Sequence, residues 1–217
     1  MKTYRFAYGS GTVEFPLEEK NIIGELHGNV VEPISDIRKE LWASLDAPID
    51  SAPLCRRVTP GSTVALVVSD MSRFWMRQDL VVPHLVDYLT QRCGVSERDI
   101  TIVIANGTHT GGDEAELRTL VTDAVYDRIT VENHNCESED LVYLGTTPHG
   151  TPVSINRTAA LADMVICLGA ATHHVMAGFG GGRKSILPGI SGRETIFHNH
   201  AFSLDAAALR SNPAVGN

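Results

Sequence analysis

Four short apolar runs are spaced along the chain from residue 63 onward, with helix-like segments between some of them. The runs are Thr63–Val68, Ile100–Ala105, Ile129–Glu132 and Met164–Leu168. Apolar residues recur at helical spacing over Leu80–Arg92, which Gly94 ends, and Asp113–Leu120 opens on acidic residues, as a helix prefers. Strands that alternate with helices predict βαβ units. We therefore expect an α/β domain with a mainly parallel, Rossmann-like sheet and flanking helices.

The first sixty residues follow a different pattern. Short strands are predicted at Lys2–Ala7, Thr12–Phe15 and Asn21–Leu26, a helix at Ile34–Leu45 and a linker at Ala47–Pro53. We expect residues 1–60 to form a short mixed β segment packed on a main cofactor-binding domain of residues 61–217. The composition of residues 211–217 is turn-like, so we do not expect them to close a domain.

Composition excludes several classes of function. A chain of 217 residues can bury a sizeable core, and its net charge of -8 argues against a nucleic-acid or membrane-surface binder. The four cysteines are far apart and form no CxxC pair, which favours free thiols in a reducing compartment over a disulfide framework or a zinc site. The sequence has neither a signal-like apolar region at its start nor a run of about 20 apolar residues. These features predict a soluble, cytoplasmic protein and do not indicate its oligomeric state.

Polar clusters follow three of the four apolar runs. Ser69–Arg73 follows the first run, Asn106–His109 the second and Gly169–His174 the last. Ligands of open α/β sheets bind outside the carboxyl ends of the strands. Because parallel strands point the same way, the three clusters should lie at one edge of the sheet and form a site.

A glycine-rich segment, Ala177–Ser185, has four glycines within five positions. Ordering a glycine costs more backbone entropy than ordering other residues, so four of them require a reason. Close approach of backbone N–H groups to an anion such as phosphate would explain them. Arg183 and Lys184 favour this reading over a flexible surface loop. The phosphate-loop NTPase pattern fails, because it requires glycine at the position of Arg183. No GxGxxG opens a helix after the first strand, which disfavours a nicotinamide dehydrogenase.

Two histidines, His198 and His200, follow this segment. Imidazole suits nickel, copper, iron and zinc, so either side chain can supply a metal ligand. In a strand both would share one face, whereas on a helix they would diverge and only one would reach a given metal. Four of the nine histidines lie between residues 173 and 200, which favours a functional role for this region.

The run Thr172–Gly189 closely resembles the signature segment of the lactate racemase family. Ser69–Arg73 resembles the family's Asp-x-x-Arg element, and Asn106–His109 resembles its Gly-Thr-His element. The order and rough spacing agree, and the resemblance covers most of the chain from about Gly61 onward. The resemblance also implies a second, C-terminal half that contributes further residues to the cofactor and substrate sites, and we expect that half to lie outside these 217 residues.

The resemblance implies a cofactor, a nickel pincer nucleotide derived from nicotinic acid mononucleotide, whose pyridinium ring carries sulfur-containing arms that hold nickel. By motif position, Lys184 tethers the cofactor as a thioamide, and His200 completes the nickel coordination, with His198 as the alternative. The cofactor-binding residues that the resemblance implies are Gly180, Gly181, Gly182, Arg183, Lys184 and Ser185. It also implies the enzymes of cofactor synthesis as partners.

The resemblance further implies a racemase or epimerase of a small, lactate-like 2-hydroxy acid. His109 and His174 map to the two catalytic histidines, Arg73 to the contact with the substrate carboxylate, and Asp70 to a supporting residue. In this reaction the cofactor takes hydride from C2, leaves a planar 2-keto acid and returns hydride to the other face, while the histidines handle the hydroxyl proton.

Two rival functions stay open at this point. One is a non-catalytic module that binds or delivers a phosphorylated metallocofactor, which would keep the glycine-rich segment but need no acid–base pair. The other is a zinc-dependent hydrolase that uses His109, His174 and His200.

Overall fold

The computed structural model describes residues 1–174 and 177–204, and the chain divides into two units, Met1–Ser35 and Asp36–Asn217. In the first unit, β1 (Lys2–Tyr8) and β2 (Gly11–Leu17) form an antiparallel hairpin. The third strand expected there, at Asn21–Leu26, is not formed. Ile23 and Leu26 in this stretch are fully exposed, so no partner strand or core takes it up.

The second unit begins with two helices, α1 (Ile37–Asp46) and α2 (Leu54–Arg57). The boundary expected at residue 60 therefore lies inside this unit. Apolar side chains of both helices pack on its core, among them Trp42, whose indole N–H also donates to the His84 carbonyl at 3.0 Å. Asp36 caps α1 by accepting a hydrogen bond from the Lys39 amide.

The centre of the second unit is a four-stranded parallel sheet. Its strands are β3 (Val64–Ser69), β4 (Ile100–Ala105), β5 (Thr130–Asn133) and β8 (Met164–Cys167), in the order β5-β4-β3-β8. Each lies within two residues of a predicted apolar run, and every pair is parallel. The predicted α/β class with a mainly parallel sheet is confirmed.

Alternation of side chains along the central strands divides the core between the two faces of the sheet. Leu66 and Ile102 belong to the larger cluster, which helices α1, α3 (Val82–Asp87), α4 (Glu114–Val121) and α5 (Asp123–Tyr126) cover. Val67 and Val103 belong to a smaller cluster on the opposite face. Both faces are covered, which explains why β3 is buried over its whole length.

The smaller cluster is covered by a short helix and by the segment around Ile190, neither of which the sequence pattern revealed. The hairpin of β6 (Val142–Thr146) and β7 (Pro152–Ile155) precedes α6 (Arg157–Leu161), whose Ala159 packs under the sheet. Ile190 is fully buried in the same cluster.

The segment predicted as one helix over Leu80–Arg92 is divided into three. A 3-10 turn at Gln78–Leu80 leads into α3, and a π-helical turn at Tyr88–Arg92 closes the segment. Gly94, with φ of +72°, ends it as predicted. The helix predicted at Asp113–Leu120 is confirmed as α4, with Asp113 as its N-cap.

The expectation of four free thiols is wrong for one pair. Cys55 of α2 and Cys93, after the π-helical turn, form a disulfide with their Cα atoms 4.8 Å apart. They are 38 residues apart in sequence, so only the packing of α2 on the core brings them together. Cys136 and Cys167 are free and half-buried, and burial raises the pKa of the Cys167 thiol.

No helix among the described residues is long and apolar enough to cross a membrane. Residues 211–217 were expected not to close a domain. They lie outside the described residues.

Candidate active site

The sheet brings the three predicted polar clusters to one edge. β3 lies between β4 and β8, with Ser69 opposite Ala105 and Val67 opposite Cys167. The segments that begin at residues 70, 106 and 168 therefore leave the sheet side by side. This is the carboxyl edge, where open α/β sheets bind ligands.

Asp70 is the buried centre of the first two clusters, with 6% of its surface exposed. One carboxylate oxygen lies 2.5 Å from His109 Nδ1. The other accepts from the Ser72 hydroxyl at 2.7 Å and from an Arg73 N–H at 3.4 Å. A carboxylate oxygen accepts hydrogen bonds, so His109 donates from Nδ1 in this contact, and in that tautomer Nε2 carries the lone pair.

The third cluster runs into the glycine-rich segment, which folds back on it. β9 (His173–His174) pairs with β10 (Gly178–Phe179), and the Gly180 amide donates to the Thr172 carbonyl at 2.6 Å. Gly181 has φ of +68°, and a Cβ there would lie 2.8 Å from the Ala170 carbonyl oxygen. Glycine is thus required at position 181 for both conformation and space.

A small cavity of about 120 Å³ lies where the three clusters meet. Arg73, His109, His174 and Lys184 line it. Lys184 belongs to the short helix α7 (Arg183–Ile186), which begins after the last glycine of the segment. The cavity thus gathers four basic side chains from three loops, an arrangement suited to a small carboxylate.

A second cavity, of about 510 Å³, lies next to the first. Its walls include Gly180, Gly181, Gly182, Arg183 and Lys184. His174 and Lys184 line both cavities, so the two cavities share a wall. Ser185, the last member of the predicted set, is buried and lines the smaller cavity.

Burial and neighbouring charges shift two pKa values in this wall. Burial lowers the pKa of His174, and the charges of Lys184, Arg73 and His200 lower it further. Burial also lowers the pKa of Lys184, with Arg73 as the second cause. At neutral pH His174 is therefore mostly uncharged, and the Lys184 amine loses its proton more readily than an exposed lysine.

Helix α8 (Arg193–Ala201) separates the two candidate nickel ligands. His200 lines the larger cavity, and its Nδ1 donates to the Ile196 carbonyl at 2.8 Å, which leaves the Nε2 lone pair available for a metal. His198 instead lies 3.1 Å from the Thr151 hydroxyl and packs against Phe202. The side chains of His198 and His200 therefore have different surroundings, as expected for residues two apart on a helix.

The comparisons with known proteins agree with this architecture. The family model described as the lactate racemase N-terminal domain matches residues 8–211. The chain belongs to the lactate racemase N-terminal domain family. It is 29% identical over 203 residues to a lactate racemase of Thermoanaerobacterium thermosaccharolyticum, and 28% identical over 197 residues to one of Lactiplantibacillus plantarum.

Those matches cover 92% and 89% of this chain but 47% and 46% of the relatives, so the chain spans about half of their length. The structure of the lactate racemase apoprotein from T. thermosaccharolyticum superposes with a TM-score of 0.81 and 27% identity, over 98% of this chain and 51% of that chain. A crystal structure of a Thermotoga maritima protein matches at a TM-score of 0.57 and 22% identity, over 77% and 40% of the two chains, which supports the fold alone.

The sequence patterns did not indicate two side chains that lie at the candidate site. Met76 and Trp75 line the smaller cavity, and the Met76 sulfur accepts a hydrogen bond from the Ala170 amide at 3.1 Å. They follow Arg73 in a 3-10 segment, Met71–Met76, which has no clear periodicity. Only their closeness to Arg73 in the sequence could have indicated that Trp75 and Met76 lie at the site.

Within residues 1–174 and 177–204, no group of three or more His, Cys, Asp or Glu side chains could hold a metal ion. Structural and catalytic zinc sites need at least three ligands from the protein. His109, His174 and His200 do not form such a site. A metal that arrives with most of its donors in a cofactor requires only one protein ligand.

Proposed function

We propose that this chain is the cofactor-holding half of a racemase or epimerase of a small 2-hydroxy acid, which works through a nickel pincer nucleotide tethered to Lys184. The observation that carries the proposal is the pair of adjoining cavities, which place two histidines and an arginine beside Lys184 and, beyond it, His200. The relatives are named lactate racemases, which supports a lactate-like substrate and an isomerase.

Arg73 is proposed to bind the substrate carboxylate. Its side chain is about 41% exposed, and its two long hydrogen bonds, to Asp70 at 3.4 Å and to the Ser72 hydroxyl at 3.3 Å, both use Nη1, so the N–H groups of Nη2 and Nε remain for a ligand. A guanidinium can hold a carboxylate by two parallel N–H···O bonds, which would fix the acid while its C2 centre is inverted.

His109 and His174 are proposed to handle the hydroxyl proton for opposite enantiomers. Asp70 holds the His109 ring so that Nε2 can take a proton, and the same carboxylate stabilises the charged ring that results. His174 is on a different loop and has a lowered pKa, so it is mostly uncharged at neutral pH. Two bases on different loops suit two enantiomers whose hydroxyl groups point to different sides.

Lys184 is proposed to carry the cofactor. A lysine amine that is desolvated or lies next to another cation is a better nucleophile at neutral pH, because more of it is unprotonated. Both causes act on Lys184. The glycine-rich segment before it lines the larger cavity, which offers room for a nucleotide.

The residues present fit such a cofactor. His200 offers one imidazole nitrogen on the same cavity as Lys184, which is sufficient for a metal that brings its other donors with it. When bound, the cofactor supplies a hydride acceptor for C2, whose C–H bond is too weakly acidic for simple proton abstraction. We propose the enzymes that make this cofactor as partners.

The nickel-ligand assignment predicts unequal effects of two neighbouring substitutions. In protein made together with the cofactor-synthesis enzymes, His200→Ala is expected to remove most of the bound nickel. His198→Ala is the matched control and should retain nearly all of it, because His198 contacts Thr151 and Phe202. Elemental analysis of purified protein measures both. Equal losses, or the reverse order, would contradict the assignment.

A further inference from the structure

Two buried polar side chains in the smaller cavity have unused hydrogen-bonding capacity. Asn106 is 2% exposed and Ser69 is 8% exposed, and both line the cavity that contains Arg73 and His109. Neither belongs to the glycine-rich segment or to the residues given a role above. Buried polar groups in folded proteins nearly always have a partner, so these two call for a donor or acceptor from elsewhere.

The orientation of the Asn106 amide is fixed. Its Nδ2 donates to Asn133 Oδ1 at 3.1 Å and to the His134 carbonyl at 3.0 Å. Asn133 cannot rotate to compensate, because its own amide bonds both the N–H and the C=O of Gly112. The Asn106 Oδ1 must therefore face the other way, and no described residue donates to it.

Ser69 ends β3, beside the strand that leads to Asn106. Its carbonyl accepts from Gln78 Nε2 at 2.5 Å, but no hydrogen bond joins its hydroxyl to any other side chain within residues 1–174 and 177–204. A serine hydroxyl can both donate and accept. The Asn106 Oδ1 can only accept a hydrogen bond. Together, the Ser69 hydroxyl and this oxygen can satisfy both the donor and the acceptor of an alcohol group on a ligand.

We propose that Asn106 and Ser69 recognise a second hydroxyl group on the substrate, at C3, so that the preferred substrates are short 2,3-dihydroxy acids. This inference rests on the proposed function, in which Arg73 holds the carboxylate and His109 faces the C2 hydroxyl. The C3 hydroxyl donates to Asn106 Oδ1 and accepts from the Ser69 hydroxyl. A C3 methyl group would leave both buried groups unpaired, and sites built for a hydroxyl reject analogues that lack it. The small volume of the cavity favours a three-carbon acid.

Calorimetric titration with D,L-glycerate and D,L-lactate tests this inference, because the two acids differ only at C3. With protein purified from cells that also make the nickel cofactor, glycerate is expected to bind at least about 10-fold more tightly than lactate. Ser69→Ala and Asn106→Ala should reduce this ratio toward one by weakening glycerate alone. Val103→Ala is the control for disturbed packing, because Val103 is fully buried in the smaller core cluster and lines neither cavity; it should lower the melting temperature while leaving the ratio near that of the original protein.

Each other outcome is decisive. Equal affinities for the two acids would overturn the inference and leave the proposed function standing, since both acids bind. A preference for glycerate that survives Ser69→Ala and Asn106→Ala would overturn the assigned residues. Failure of loaded protein that also carries the family's C-terminal half to bind either acid would overturn the proposed function as well.

Discussion

Replacing Lys184 with alanine is expected to abolish covalent attachment of the cofactor. Protein made together with the cofactor-synthesis enzymes should show an added mass in intact-mass spectrometry, and Lys184→Ala should show none. Lys184→Arg should also show none, although it keeps the positive charge, because a guanidinium cannot form the same thioamide. Racemisation should fall to background in both variants, because the group that accepts hydride is no longer held in the cavity.

The matched control for this result is Lys39→Ala. Lys39 is an exposed lysine in the first turn of α1, so its loss should leave the added mass unchanged. An unchanged adduct on Lys184→Ala would contradict the tether. An adduct lost equally from Lys39→Ala would show that the measurement reports general damage to the protein.

In protein that also carries the family's C-terminal half, removal of either of the two proposed acid–base histidines is expected to stop racemisation in both directions. In the proposed reaction a full turnover uses His109 and His174 once each, and detailed balance forbids a defect in one direction only. A positioned acid–base group contributes roughly 10²–10⁴-fold, so His109→Ala and His174→Ala should each lose at least about 100-fold in rate. His173→Ala is the control, since this exposed neighbour of His174 packs against Phe179.

The first half of the reaction needs only one base, which makes the two variants complementary. With one enantiomer, His109→Ala should still give a rapid change in cofactor absorbance in stopped flow, and with the other enantiomer His174→Ala should. A cofactor-delivery module would give no substrate-dependent change. If both variants lose the change equally with both enantiomers, the histidines do not act as the two bases.

The sheet and the edge that carries the site could be predicted from sequence for a simple reason. Buried parallel strands are short continuous apolar runs, and the polar residues just after them must lie at one edge. Asp70, Asn106 and His174 came together in this way. The glycine-rich segment was equally informative, because the close approach and positive φ of Gly181 leave no alternative to glycine.

Other features depend on packing that no local pattern records. The disulfide between Cys55 and Cys93 requires α2 to lie against the π-helical turn. Whether His198 and His200 share one face depended on whether their segment is a strand or a helix, and α8 shows that it is a helix, with His200 alone of the two lining the larger cavity. The contact between Asp70 and His109 joins loops from two strands, so sequence could predict that they lie at the same edge but not that they pair.

The fate of deuterium at C2 during turnover distinguishes hydride transfer from proton abstraction. Protein loaded with the nickel cofactor is given a single enantiomer of the 2-hydroxy acid, labelled with deuterium at C2, in ordinary water. We expect the opposite enantiomer to accumulate with deuterium still at C2, because the bound cofactor would supply a hydride acceptor that does not exchange with solvent, whereas His109 and His174 would exchange only the hydroxyl proton. Accumulation of the opposite enantiomer with hydrogen from water at C2 would contradict the proposed hydride transfer, as would no interconversion by loaded protein that also carries the family's C-terminal half.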